Sequence, residues 1–219
     1  MAAGRWKRLR HRLELLGVRL MASMPRLLPY KLSIKAGGLL GRFAFDVIRV
    51  RRGVTLDNLD RAFGDTLSGK EKIRTGRRSY INFTKSMFEL ASLPRLGREK
   101  VRELIRYHDF HHVRNPVAEG RGVAVVTGHF GSWELLGASA AVQDLPVDFI
   151  VGEQTNSLVD EYVNGLRSSV GIGVIYKGIG VRAVFRSLRE GRIVAILNDQ
   201  DAVSYTHLTL PTTCNLCRS

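Results

Sequence analysis

A chain of 219 residues with 44% hydrophobic and 25% charged residues can bury one sizeable core, which excludes generic disorder and makes one main domain the expectation. The net charge of +14 is uneven: residues 1–52 hold 13 Lys or Arg against Glu14 and Asp46, a surplus of 11, and the remainder is close to neutral. A nucleic-acid-binding domain would carry its charge on the folded core, so the distribution argues against a nucleic-acid partner and fits a segment drawn to an anionic membrane surface.

The first stretch, 1–53, reads as a basic amphipathic membrane-associated segment. RWKRLRHR (5–12) is a basic cluster, and the apolar run 13–30 is broken by Glu14, Arg19, Pro25 and Arg26. A spanning helix needs about 20 predominantly apolar residues, so an interfacial helix with Leu13, Leu16, Leu20 and Met24 on one side is the better reading. The run lacks a small-residue cleavage signature, so it is not read as a signal peptide. Residues 32–48 continue as a Gly-rich apolar segment.

Residues 54–118 form a helical region. Leu56, Leu59 and Phe63 recur at helical spacing. Ser68 and Glu71 make a capping box, after which Ile73, Gly76, Tyr80, Phe83, Met87 and Leu90 trace one face until Pro94 is expected to stop the helix. A further helix covers about residues 99–108. His108, His111 and His112 beside Asp109 lack a further ligand in fixed geometry, so no metal is expected.

From 119 to 202 the pattern alternates. Strands are predicted at 123–127, 147–151, 172–176 and 193–197, with helices at 132–142, 157–170 and 180–190. The fold class that follows is α/β, a mainly parallel sheet covered by helices and preceded by the N-terminal helical membrane-associated region. Ligands collect beyond the carboxyl ends of such strands. That edge would present His129, then Glu153 and Gln154, then Lys177, then Asn198 to Asp201.

The most informative stretch is VAVVTGHFGSWE, residues 123–134. Gly128 and Gly131 allow a tight turn after the strand, and Ser132 is a plausible N-cap. On one continuous helix, residues five apart would lie roughly 140° apart around the axis. With His129 on the turn and Glu134 in the first helical turn, the two can fold back towards each other. A carboxylate on one imidazole nitrogen fixes the tautomer and leaves the other nitrogen to accept a proton from a hydroxyl. Ser132 lacks the Gly-x-Ser-x-Gly elbow of a nucleophile.

The HFGSWE turn with the small-residue helix LLGASAA resembles the HxxxxE block of the bacterial lipid A biosynthesis (lauroyl/myristoyl) acyltransferases, within the lysophospholipid acyltransferase-like superfamily. NLDRAF and FEL resemble earlier segments of that branch. NSLVDEYVNGLRSSVG resembles its block in which an Asn starts a helix and an Arg lies eleven residues on, here Asn156 and Arg167. ILNDQD resembles its late strand ending in an Asp-Gln pair, here Asp199 and Gln200.

The resemblance implies an O-acyltransferase in which His129, oriented by Glu134, is the catalytic pair. Arg167, Asn156, Lys177, Asp199 and Gln200 are expected to bind substrate. No cofactor is implied; the co-substrate would be an acyl carrier protein or coenzyme A thioester and the acceptor a membrane glycolipid, a lipid A precursor, at the cytoplasmic face of the bacterial inner membrane. Acylation of phosphatidylinositol mannosides and a non-catalytic membrane-binding module are the rival readings. VSYTHLTLPTT resembles translated sequencing-library adapter, so 203–219, with Cys214 and Cys217, is expected to be non-native, the enzyme core to be C-terminally truncated, and the fragment itself to be inactive even where the full protein is an enzyme.

Overall fold

The computed structural model describes residues 2–177 and 181–199. Helix α1 (Ala2–Leu27) runs through Pro25. It leaves Trp6, Leu9, Leu13, Leu16, Leu20 and Leu27 exposed along one side while Ala22 packs inward. No described helix is long and apolar enough to cross a membrane. Helix α2 (Tyr30–Phe43) lies against the long helix α4 (Gly69–Leu104). A Cβ at Gly41 would sit 2.3 Å from Thr84 Oγ1 and 2.5 Å from the Tyr80 carbonyl, so the absent side chain is what lets the two helices close. A π-helical turn (Ala44–Ile48) and α3 (Arg52–Phe63) complete this layer.

Helix α4 starts at the expected box: the Ser68 hydroxyl accepts from the Glu71 N–H, and the Glu71 carboxylate accepts from the Ser68 N–H at 2.9 Å. It does not stop at Pro94. The proline is accommodated inside the helix, and the break comes at Gly97, whose φ of 71° and ψ of 168° no helix tolerates and few side chains allow. The helix then ends at Leu104, short of the expected His108. The histidine-rich stretch beyond it makes an unanticipated helix, α5 (His111–Ala118).

The four strands fall on the predicted residues: β1 (Val123–Thr127), β2 (Val147–Val151), β3 (Ile172–Tyr176) and β4 (Ile193–Leu197). Helices α6 (Trp133–Ala141), α7 (Ser157–Ser168) and α8 (Val181–Arg189) lie between them, each ending within two residues of expectation. Among the described residues all pairings are parallel, in the order β1-β4-β2-β3.

Successive residues of a strand point to opposite faces. Asp148 of β2 reaches Ser187 of α8, whereas Phe149 presses on Gly137 of α6, where a Cβ would come within 2.2 Å of its ring. Helices α6 and α8 therefore cover opposite faces. Phe149 is 4% exposed and joins Leu90, Leu93, Leu135 and Ile172 in the core. Burial of such a side chain contributes about 1.5–3 kcal/mol.

Candidate active site

The turn after β1 is tied down at both ends. Phe130 N–H donates to the Gly128 carbonyl at 2.8 Å, and Ser86 Oγ of α4 donates to the Gly131 carbonyl at 2.7 Å. Gly131 has φ 56°, the left-handed region a glycine enters without strain. A Cβ at Gly128 would sit 2.7 Å from the Phe130 ring and 3.1 Å from the Asp199 carboxylate, so this position must be bare for the two chain segments to meet.

His129 pairs with Asp199. Its Nδ1 lies 2.7 Å from Asp199 Oδ1, and its backbone N–H donates to Asp199 Oδ2 at 2.9 Å. The cause is register. Thr127 pairs with Leu197 across the β1–β4 ladder, so residues two positions past each strand end emerge side by side. Trp133 supports the imidazole edge-on, with ring centroids 4.7 Å apart. Burial pushes the Asp199 carboxyl up, but the backbone N–H and ring of His129 outweigh it and hold it below the ordinary carboxylate value.

The contacts differ from two expectations. Asp199, read as a substrate-binding residue, is the histidine's partner. Glu134, expected in that place, is turned elsewhere: it is 1% exposed and its carboxylate accepts from Arg167 Nε at 3.0 and 3.2 Å and from Arg167 Nη2 at 2.5 Å. Trp133 Nε1 adds a third donor at 3.2 Å. Being in the first turn of α6, Glu134 is carried towards α7, whose last turn holds Arg167. The guanidinium also lies 6.0 Å over the Phe149 ring.

Asn156 also makes contacts other than those expected. It caps α7 by accepting from the Leu158 N–H at 3.1 Å, and its amide nitrogen donates to the His11 carbonyl at 2.9 Å and to Glu14 Oε2 at 2.7 Å. With donors and acceptor so engaged it pins α1 onto α7, and it is not among the residues lining the cavity described below. Ser132 begins α6 through its carbonyl, which accepts from Leu136 N–H, but its hydroxyl makes no cap and is buried without a partner among the described residues. Gln200 lies outside the described residues.

A cavity of about 470 Å³ opens at this edge of the sheet. His129, Glu134 and Arg167 line it together with Lys177, and Glu153 and Gln154 follow β2 into its rim. Its apolar wall comes from Phe83, Met87 and Leu90 of α4, Phe149 of β2, and Val159 and Val163 of α7. The volume falls within the roughly 300–1,000 Å³ of small-molecule sites. Convergence at the carboxyl edge is thus met by His129 and Lys177, and the α4 wall is the part that strand–helix alternation did not foretell.

Fold and site together define a parallel α/β protein that presents a histidine–carboxylate pair beside a half-apolar, half-charged cavity. The chain belongs to the bacterial lipid A biosynthesis acyltransferase family, whose sequence profile matches residues 3–211. Membership makes it an acyltransferase by family. No curated protein matches the chain at a significant level.

Proposed function

We propose that this protein moves a fatty-acyl chain from an acyl carrier protein or coenzyme A thioester to a hydroxyl of a membrane glycolipid, a lipid A precursor. The observation that carries the reading is the His129–Asp199 pair at the lip of a cavity with an apolar wall. With Nδ1 directed to the carboxylate, Nε2 is the nitrogen available to the acceptor hydroxyl. It takes the hydroxyl proton as that oxygen attacks the thioester carbonyl; the C–S bond then breaks, and the departing thiolate recovers the proton from the imidazolium. Asp199 stabilises the imidazolium between these steps. No covalent acyl-enzyme is needed.

The oxyanion requires donors. The N–H groups of His129 and Phe130 already serve Asp199 and Gly128. Arg167, in the same cavity wall, keeps its Nε/Nη2 edge on Glu134 and one Nη1 proton on Asn164, so the second N–H of each Nη is the donor we assign to that charge or to a phosphate of donor or acceptor. Lys177 contributes further positive charge to the cavity wall and fits the same anionic substrate.

The exposed apolar stripe of α1, from Trp6 to Leu27, supports docking at the cytoplasmic face of the inner membrane. Arg5, Lys7, Arg8, Arg10 and Arg12 stand on the same helix, and apolar insertion with basic flanks is how an interfacial helix holds an anionic bilayer. The test of the whole reading is acyl transfer from a pure thioester to lipid A precursor in anionic vesicles. Loss in His129→Ala and Asp199→Asn with retained vesicle binding is expected. Full activity in His129→Ala removes the mechanism, and vesicle binding without thioester consumption by the unmodified protein leaves only a membrane-binding module.

A further inference from the structure

Arg167 is gripped from a second side. Its Nη1 donates to Asn164 Oδ1 at 2.8 Å, from one turn earlier on the same face of α7. The Asn164 amide nitrogen in turn donates to Asp160 Oδ2 at 3.1 Å and to the Tyr176 hydroxyl at 2.9 Å. Tyr176, the last residue of β3, closes the triangle by donating to Asp160 Oδ2 at 2.6 Å. Asp160 Oδ1 also accepts from the Gln154 backbone N–H at 3.1 Å, which ties the triangle to the loop after β2.

The polarity of this network decides which way the amide faces. Asp160 offers only acceptors when ionised, so the NH2 of Asn164 turns towards it and the amide oxygen turns towards the guanidinium. The reverse orientation would set NH2 against an arginine that has no acceptor. The phenol stays protonated, because its bond to Asp160 and its desolvation push its titration upward.

We propose that Asn164 is a positioning residue: anchored by Asp160 and Tyr176, it sets the plane of the Arg167 guanidinium so that one edge meets Glu134 and the group is held ready in the cavity wall. It touches no substrate itself. The proposal rests on the reading that Arg167 serves the transfer reaction, and its physical content is that the ends of β2 and β3 are coupled to the arginine through side-chain hydrogen bonds. Misplacement of a preorganised donor by about 1 Å is enough to slow a reaction by up to about 100-fold.

The experiment uses the full chain labelled with ¹⁵N-arginine. The Arg167 Nε–H resonance, assigned by its disappearance in Arg167→Leu, is expected to be sharp and slowly exchanging in the unmodified protein and to broaden or exchange faster in Asn164→Leu, while thermal unfolding shows α7 still folded. In the transfer assay Asn164→Leu is expected to lower kcat about tenfold or more with little change in KM, and to lower it no further in the Arg167→Leu background. An unchanged Arg167 resonance in folded Asn164→Leu, or losses that multiply in the double variant, overturns the proposal. Should Asn164→Leu fail to fold, Tyr176→Phe carries the same two readouts with only one oxygen removed. Absence of transfer by the unmodified protein defeats the proposed function alone, and the resonance still decides the positioning role.

Discussion

The two ends of strand β2 each carry a carboxylate–arginine pair, and they differ in what surrounds them. Near its amino end Asp148 is gripped by Arg192 Nε and Nη2, both at 2.6 Å, and by Ser187 Oγ at 2.5 Å. Even a Cβ on Gly173 would lie 1.9 Å from its Oδ1, so nothing can enter. Beyond the carboxyl end Glu134 is gripped as tightly by Arg167, yet that pair forms part of a cavity wall and shares it with a titratable histidine. An ion pair by itself is therefore no mark of a site. Space beside it and a proton acceptor within that space make the difference.

Removing the proton acceptor is the strongest way to sharpen the contrast. His129→Ala is expected to lower acyl transfer by about 10²–10⁴-fold, and Asp199→Asn to approach it, because general-base catalysis contributes about that factor. Both are checked by initial rates from a pure thioester, with unfolding temperature little changed. Equal activity of Asp199→Asn and the unmodified protein, alongside an inactive Glu134→Gln, would return the histidine's partner to Glu134.

Breaking the closed pair is expected to do the opposite. Asp148→Ala removes the acceptor of three hydrogen bonds and leaves Arg192, whose side chain is 29% exposed, to water, so it is expected to cost about 1–3 kcal/mol of stability, read by denaturant unfolding, while activity per folded molecule is retained. A loss of activity without loss of stability would place the amino end of the sheet in the mechanism.

Acid provides a smaller and graded test. Arg192 and Ser187 overcome the burial that raises the Asp148 carboxyl and hold it below its ordinary value, as His129 does for Asp199. A depressed native value means stability that is fully present above the unfolded carboxylate value of about 3.9 and is lost as pH falls below it through the native one. Unfolding temperature should therefore fall below about pH 4, and Asp148→Asn should flatten that fall; an acid limb of unchanged steepness in this variant would contradict the assignment.

The smallest effect is expected at Ser132→Ala. The hydroxyl caps nothing and has no partner among the described residues, so rate and stability should stay within about twofold and 0.5 kcal/mol of the unmodified protein. A large loss of rate would make the hydroxyl a participant.

What was legible in the chain was local. The β-branched runs and the glycines bounding them placed all four strands, because burial of a short strand shows in its own residues. The Ser68–Glu71 box and the HFGSWE turn were equally local, and Pro94 misled because packing on both sides carries the helix through the proline as far as Gly97. Strand order is not written in any one segment. Only the folded sheet sets β4 beside β1, and with Thr127 facing Leu197 it brings Asp199 to His129 from 70 residues away. The nearer Glu134 loses that place because α6 turns it into the interior, where a carboxylate needs Arg167 more than the imidazole needs the carboxylate.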